Sequence, residues 1–560
     1  MAMARPPRKL SRKEDRIILQ FDYDCFYAQV YEVKNPALKP KPLGIKQKNI
    51  LATCNYNARR RGVKKLMLIT EAKKICPELV IVEGEDLTPF RDVSKILFNF
   101  FKSYSWNQKV ERLGFDEVFM DVTDIINYNM ACFNKHSPTN HFFQLSEKDP
   151  ELGFVCDLTS IPGATIGGNM DLLPDLDNPL YLRLVLGSHL AHHLRLKVEQ
   201  DFGYTSTCGI STNKLLSKLA GSKHKPQNQT TLLALTEEGI LEFMSGHFLR
   251  SIPGIGFKSS SLIEAHVTGL ETTTDSHSFE SRVTAAQALA SPHVSPASLE
   301  TLLAGPGAEK GIGSRIWGLL HGVDPTEVKE ASDIPSQISI EDTFGRLETM
   351  AQILPELYKL SCSLVRRMRV DLLVTDGNSD TPDALKWLAR PKTLRLSVRS
   401  WPKSGSLYAQ FNRQSRSGPL PSFALDGKQD IEAVADRLVS EALLPLLRKL
   451  QEDRKGQPWS LQLINICVSN LVPTATEDKS GVGRDIANMF RRQDEVLAPW
   501  RILPSPEEIE SHASEDSDSE EAAEPETWET TENIPCDKCG HAIPYFALEA
   551  HFRYHQLEED

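Results

Sequence analysis

A chain of 560 residues holds several domains at roughly 100–200 residues each, and its 40% hydrophobic and 25% charged content excludes a collagen-like or low-complexity protein. The net charge of −11 hides an asymmetry: residues 504–533 carry twelve acidic side chains and no Lys or Arg, residues 534–560 net −3, and the first 503 residues are left at +4. A mildly basic body with an acidic tail suits a nucleic-acid partner, and no run approaches the ~18 apolar residues of a membrane-spanning helix.

The first fifteen residues are basic and read as disordered. They lack the apolar stretch of a secretory signal. Arg5, Arg8, Lys9, Arg12 and Lys13 form either a nuclear-localisation patch or a merely solvated start. RIILQFDYD is an apolar strand ending in carboxylates, and KNILATCNY is a second strand. ITEAKKICPEL is helical up to Pro77. VERLGFDEVFMDVTD folds as a hairpin around Phe115, Asp116 and Glu117. Residues 128–178, rich in Asn, Asp, Pro and Gly, read as an irregular surface insertion. LYLRLVLGSHLAHHLRLKVEQDFG is a long helix. A second helix follows, with Ser211, Thr212 or Asn213 as its cap. Residues 230–325 are helical, residues 335–503 mix strands and helices, and residues 504–533 form an acidic disordered linker. Eight scattered cysteines read as reduced core thiols.

Four groups of residues carry chemistry. Asp22, Tyr23 and Asp24 end a strand, and Asp116 and Glu117 sit at a hairpin. Carboxylates gathered at strand ends are what two divalent ions need, although acidic pairs there are also often just solvated. The segment Ser251-Ile252-Pro253-Gly254-Ile255-Gly256 between two helices reads as a helix-hairpin-helix turn. Its backbone N–H groups, at Gly254 and Gly256, would hold a DNA phosphate with help from Lys258. In KTLRLSVRSW, Leu394, Leu396 and Val398 alternate with Arg395, Ser397 and Arg399. That is a half-buried strand whose outer face is either a track for a phosphate backbone or simply solvated, with WSLQLINICVSNL as its partner. Last, Cys536 and Cys539 are spaced C-x2-C, and His551 and His555 H-x3-H, eleven residues apart. Two thiolates and two imidazoles one helical turn apart make a structural tetrahedral Zn²⁺ site, since 27 residues bury too little core alone.

FDYDCFYAQVYEVKNPAL, ATCNYNARRRGVKKLM, ERLGFDEVFMDVTD and GISTNKLLSKLAGSKHKPQNQTTL, in this order, resemble the Y-family translesion DNA polymerases. Within that family they are most similar to the iota branch. The resemblance covers roughly residues 16–500. It implies an α/β multidomain, right-hand polymerase: palm at 16–30 and 89–222, fingers at 31–88, thumb at 223–330, little finger at 335–503. It implies Asp22, Asp116 and Glu117 as carboxylates for two Mg²⁺ or Mn²⁺ ions, joined by the Tyr23 carbonyl, with Asp24 structural. Tyr27 falls at the steric gate against a ribose 2′-OH, the alternative being a core aromatic. Tyr56, Arg59, Lys65 and Lys214 fall near the incoming triphosphate, where cations can neutralise a polyanion. Arg60, Arg61 and Lys64 lie in the same run and read as a solvated face or a backbone track. Gln47, Ile50 and Ala52 fall over the templating base. Gln47 matches the narrow pocket that favours Hoogsteen pairing of a template purine, while the small Ala52 leaves more room.

The module at 534–560 resembles the ubiquitin-binding C2H2 zinc fingers of translesion polymerases, particularly the eta type. Those fingers carry an Asp between the His ligands where this chain has Arg553, which separates zinc binding from ubiquitin binding. The implied activity is error-prone, template-directed nucleotidyl transfer from a dNTP to a primer 3′-OH, in the nucleus. The implied partners are primer–template DNA and ubiquitin or a ubiquitinated sliding clamp. No proofreading carboxylate motif is present. The rivals are an eta-like bypass polymerase, a non-catalytic scaffold bridging ubiquitin and DNA, and a helix-hairpin-helix nuclease.

Overall fold

The computed structural model describes residues 12, 15–167, 175–270, 282–305, 308–375, 385–401, 413–453 and 457–474, and the backbone of 533–535 and 542–544. In chain order the first half runs β1 (Ile18–Tyr23), α1 (Phe26–Lys34), β2 (Leu43–Gln47), β3 (Ile50–Cys54), α2 (Tyr56–Arg60), α3 (Ile69–Ile75), β4 (Val80–Glu83), α4 (Thr88–Ser103), β5 (Val110–Leu113), β6 (Glu117–Asp121) and α5 (Thr123–Ala131). Then come β7 (His141–Gln144), β8 (Gly153–Cys156), β9 (Ala164–Ile166), α6 (Pro179–Phe202), β10 (Ser206–Ser211), α7 (Lys214–Gly221) and β11 (Gln229–Leu232).

Six of these strands form one mixed sheet in the order β5-β6-β1-β10-β11-β9. Its strands β1, β6, β10 and β11 are buried because both faces are covered, although β10 and β11 are rich in Ser, Thr and Gln. Leu19, Phe21 and Tyr23 pack against α4 and α6 in the largest core, and α7 covers the other face. That last contact is backbone on backbone. A Cβ on Gly209 would overlap the Ser217 carbonyl oxygen and approach the Gly221 nitrogen to 2.5 Å. The Ser217 hydroxyl donates to the Ile18 carbonyl at 2.8 Å. The cap of α7 is Asn213, whose side chain accepts the Leu216 N–H at 2.9 Å. A separate three-stranded sheet, β3-β2-β4, holds its own small core around Leu51, Cys54 and Leu79.

The insertion departs from the irregular loop expected of it. α5 fills its start, β7 and β8 pair as a hairpin, and β9 extends the main sheet in parallel with β11. The N-terminal arm also departs from expectation at Arg12. Its guanidinium donates to the His321 carbonyl at 3.0 Å, while the buried Arg16 holds the Asp324 and Thr326 carbonyls. Cys132 is exposed, unlike the buried Cys54, Cys76, Cys156, Cys208 and Cys467.

Five helices follow: α8 (Glu237–Ser245), α9 (Phe257–Thr268), α10 (Ala285–Ala290), α11 (Pro296–Leu303) and α12 (Ile312–Leu320). They surround a third core. The connection after them runs along β5: Ala331 N–H donates to the Gln108 carbonyl at 2.8 Å and Lys329 N–H to Glu111 at 3.1 Å.

The last described domain contains β12 (Gln337–Leu347), α13 (Met350–Leu372), β13 (Leu373–Thr375), β14 (Leu385–Trp387), β15 (Ala389–Ser400), β16 (Arg413–Pro419), α14 (Ile431–Arg437), α15 (Leu444–Asp453) and β17 (Leu461–Pro473). Its sheet runs β12-β17-β15-β16. Leu394, Leu396 and Val398 face the helices, as their alternation requires, and β17 is the partner strand of β15. Ser397 is buried instead of outward-open, because the Ser415 hydroxyl donates to its oxygen at 2.8 Å. The acidic linker, residues 475–503 and the four Cys and His of the terminal module lie outside the described residues. Two short strands, β18 (Asn533–Pro535) and β19 (Ala542–Pro544), pair antiparallel there.

Candidate active site

The antiparallel register of β1 and β6 sets Asp22 opposite Glu117. Asp116 precedes Glu117 at the β5–β6 turn, where its carbonyl accepts the Tyr23 N–H at 2.9 Å. Three carboxylates therefore meet at the mouth of one sheet. Burial, and then the charges of Asp22 and Glu117, push the Asp116 carboxyl up to about 6. Two lysines answer this charge. Lys225 Nζ lies 2.6 Å from Asp22 Oδ1, and Lys218 Nζ lies 2.6 Å from Glu117 Oε2. Among the described residues no three His, Cys, Asp or Glu side chains converge on an ion as they stand. The donor set nevertheless fits hard divalent cations. It is all oxygen, and its mutual repulsion is what such a charge relieves.

These carboxylates line a cavity of about 990 Å³. Every predicted triphosphate or template residue lines it except one. On one side stand Tyr56, Arg59 and Lys65. The short α2 carries the first two one turn apart, capped by Asn55, and the Arg59 guanidinium lies 4.8 Å above the Tyr56 ring. Arg59 Nε donates to the Cys54 carbonyl at 3.1 Å and Nη2 to the Thr53 hydroxyl at 3.5 Å, which fixes the guanidinium beside the cavity that Arg59 and Thr53 line. Gln47, Ile50 and Ala52 line another wall. The Gln47 amide is fixed by donating to the Gly84 carbonyl at 2.8 Å. Ile50 and Ala52 are on one face of β3, with Leu51 buried on the other.

Tyr27 is both wall and core. Its ring stacks on buried Phe90 with centroids 4.0 Å apart and 12° between planes, while its edge lines the cavity. Burial, then the Asp116 charge, raise its phenol. Asp24 is structural, as expected. It is buried and accepts from the Thr205 and Thr207 hydroxyls and the Gln227 N–H at 2.9–3.0 Å.

Lys214 is the exception. Its ammonium sits 2.6 Å from Glu111 Oε2 and does not line the cavity. Lys225 lines it instead. Sequence reasoning missed Lys225 and Lys218. KLLSKLAGSKHKP contains both, but nothing local tells which cations of that run turn toward the carboxylates. It also missed Leu66, an exposed cavity-lining residue held at φ 63° by its N–H bond to the Leu51 carbonyl.

The remaining DNA candidates lie elsewhere. Gly254, at φ 91°, and Gly256, the cap of α9, are exposed beside Lys258. Arg395 and Arg399 are half-buried on the helix-free face of the last sheet, where Arg395 also donates to Gln337 at 3.1 Å.

Residues 21–222 match the impB/mucB/samB family, and residues 335–481 match the C-terminal domain of that family. The chain is 30% identical over 482 residues to DNA polymerase iota of Mus musculus, covering 85% of this chain and 56% of that protein. It is 31% identical over 466 residues to DNA polymerase iota of Homo sapiens, covering 83% and 53%. With DNA polymerase iota of Drosophila melanogaster it is 39% identical over 262 residues, covering 47% and 32%. The chain thus spans about half the length of its two mammalian relatives.

Proposed function

Because the chain belongs to the impB/mucB/samB family of Y-family DNA polymerases, we propose that it is an error-prone, template-directed polymerase of translesion synthesis. It joins a primer 3′-OH to the α-phosphate of a dNTP and releases pyrophosphate. One observation carries this reading: a single cavity unites the carboxylates of β1 and β6 with Tyr56, Arg59 and Lys65 and with the wall of Gln47, Ile50 and Ala52.

Asp22, Asp116, Glu117 and the Tyr23 carbonyl would hold two Mg²⁺ or Mn²⁺ ions, whose charge eases deprotonation of the 3′-OH and departure of pyrophosphate. The chain's own groups do the rest. Arg59, Lys65 and Lys225 neutralise the triphosphate, with the Tyr56 hydroxyl as a further donor. The Tyr27 ring leaves no room for a 2′-OH. Gln47 and Ile50 narrow the space over the templating base, favouring a Hoogsteen-paired purine, and Ala52 widens it again.

The separate cores support a layout of palm (16–30 and 89–222), fingers (31–88), thumb (223–330) and little finger (335–503). In that layout Gly254, Gly256, Lys258, Arg395 and Arg399 hold the duplex backbone. The terminal module binds one structural Zn²⁺ through Cys536, Cys539, His551 and His555. Pairing of Ile534 with Ile543 brackets both cysteines, which suits a zinc knuckle. Ubiquitin, or a ubiquitinated clamp, is its partner, and the nucleus is where such a chain works.

Single-nucleotide extension of a primer against each of the four template bases, with Mg²⁺ and with Mn²⁺, tests the reading. Extension is expected and should vanish in Asp116→Ala/Glu117→Ala. Equal efficiency opposite template A and template T would favour the eta-like reading. DNA hydrolysis without nucleotides would favour a nuclease.

A further inference from the structure

The polymerase reading leaves Lys218 without a role. It follows Lys214 by one turn on α7, so one helix face sends two ammonium groups to neighbouring strands. Lys214 reaches Glu111 on β5, and Lys218 reaches Glu117 on β6. The two pairs differ in consequence. Glu111 also accepts the Lys329 N–H, so its pair ties the connecting segment to the sheet. Glu117 has no such duty and stands among the metal carboxylates.

Lys225 and Lys218 differ as well. Lys225 lies in the loop after α7, and that loop is tied down through the Gln227 N–H to Asp24. Lys218 projects from a helix packed backbone to backbone on the sheet. Its backbone at Ser217 and Gly221 lies against Gly209 of β10, and its Ser217 hydroxyl is bonded to β1. The ammonium is therefore aimed at Glu117 by rigid elements. Its partner oxygen is one that a cation must take, and a dication and an ammonium on one carboxylate repel each other.

We propose that Lys218 is a resident counter-ion that occupies Glu117 in the free enzyme and moves onto the primer-terminal phosphate when DNA binds, freeing Glu117 for a divalent cation. This rests on the polymerase reading of the same site. The ammonium keeps a carboxylate partner or a phosphate partner throughout, so the exchange leaves no unpaired charge at the sheet mouth. Metal occupancy and primer occupancy are then linked, and by reciprocity each tightens the other. Lys218 is a positioning residue in this scheme, since it acts through Glu117.

The experiment measures Mn²⁺ binding by electron paramagnetic resonance on the full chain, with and without a primer–template ending in a dideoxynucleotide. Asp116→Ala/Glu117→Ala supplies the background from any other site. In the wild type, DNA is expected to tighten Mn²⁺ binding several-fold. Lys218→Met should bind Mn²⁺ about fivefold or more tightly without DNA, and should lose most of the tightening by DNA. Lys218→Arg should keep the wild-type pattern, and Lys214→Met should leave Mn²⁺ binding unchanged. An unaltered dissociation constant and unaltered coupling in Lys218→Met, with a normal melting temperature, overturn the proposal. Absence of wild-type binding above background overturns the metal-site reading itself.

Discussion

Asp22 lies directly opposite Glu117 across the β1–β6 ladder, yet the two carboxylates are neutralised from different elements, one by Lys225 and one by Lys218. Among the described residues Asp116, which lies between them, has no ion pair of its own. Its carboxyl, pushed up to about 6 by burial and by those two charges, holds a proton more tightly in the folded chain than in the unfolded one. Stability from this group is therefore fully present below pH ~4 and is lost as pH rises through about 6. Removing the charge should recover it. Asp116→Asn is expected to raise the melting temperature at pH 7.5 in chelator and to leave it nearly unchanged at pH 4. Protein packs around the carboxyl, but the side chain still reaches the cavity's water, which screens the repulsion and keeps the gain below about 1 kcal/mol. The same variant should lose nucleotide addition by ~100-fold or more. A lower melting temperature at pH 7.5 would show that Asp116 stabilises the metal-free fold.

Tyr27 combines two roles that mutation can separate. Its stacking on Phe90 contributes to the core, and its cavity edge would meet a 2′-OH. Tyr27→Ala should raise the ratio of ribonucleotide to deoxynucleotide incorporation at least tenfold. It should also cost about 1–2 kcal/mol of stability, less than a fully buried aromatic. Tyr27→Phe should change neither. A stability loss with an unchanged sugar ratio would assign the ring to the core alone.

Much of this site could be read from the chain, and the gaps have physical causes. RIILQFDYD and VERLGFDEVFMDVTD announce β1 and the β5–β6 hairpin because their patterns are local, whereas the grouping of Asp22, Asp116 and Glu117 came from the family resemblance, since acidic pairs at strand ends are often just solvated. Lys214 was misjudged because KLLSKLAGSKHKP holds four lysines, Lys214, Lys218, Lys223 and Lys225, within one short run. Only the turn after Gly221 decides that Lys225 enters the cavity while Lys214 reaches Glu111. The insertion read as a loop because β9 is three residues long. Its strand character comes from pairing with β11, some 65 residues away, and not from local propensity. Arg12 read as part of a localisation patch or a solvated start because its partner, the His321 carbonyl, is 309 residues distant.

Gly209 is the packing test of the same architecture. Its missing side chain lets α7 touch β10 and so aims Lys218. Both neighbours are backbone, which cannot give way as a side-chain tip can. Gly209→Ala is expected to destabilise the chain by about 3 kcal/mol or more, at the upper end of overpacking costs. Leu66 predicts the opposite sign. At φ 63° and 65% exposed, it carries left-handed strain without compensating burial. Leu66→Gly should therefore stabilise by up to about 1 kcal/mol. Urea unfolding of both variants measures this. Mild loss for Gly209→Ala would mean that α7 can lift from the sheet.

The terminal module makes a prediction that depends on one residue. Purified chain should carry one Zn²⁺, and Cys539→Ser should lose it. Two cysteines between the paired strands and two histidines after them would supply the ligands, and a unit this small buries too little core to order itself without the ion. Ubiquitin recognition is a separate matter. Related fingers place an Asp acceptor between the His ligands, and Arg553 puts a bulky cation there. A cation cannot accept the hydrogen bond that the Asp accepts, and its own desolvation opposes docking. Weak binding is therefore expected for the native chain, and Arg553→Asp should tighten it by about 1–2 kcal/mol, or roughly five- to thirtyfold. Titration of ¹⁵N-labelled ubiquitin with each full chain reads this directly. Tight binding by the native chain that Arg553→Asp weakens would mean that the finger meets ubiquitin through another face, with Arg553 itself as a donor to a ubiquitin carboxylate or carbonyl.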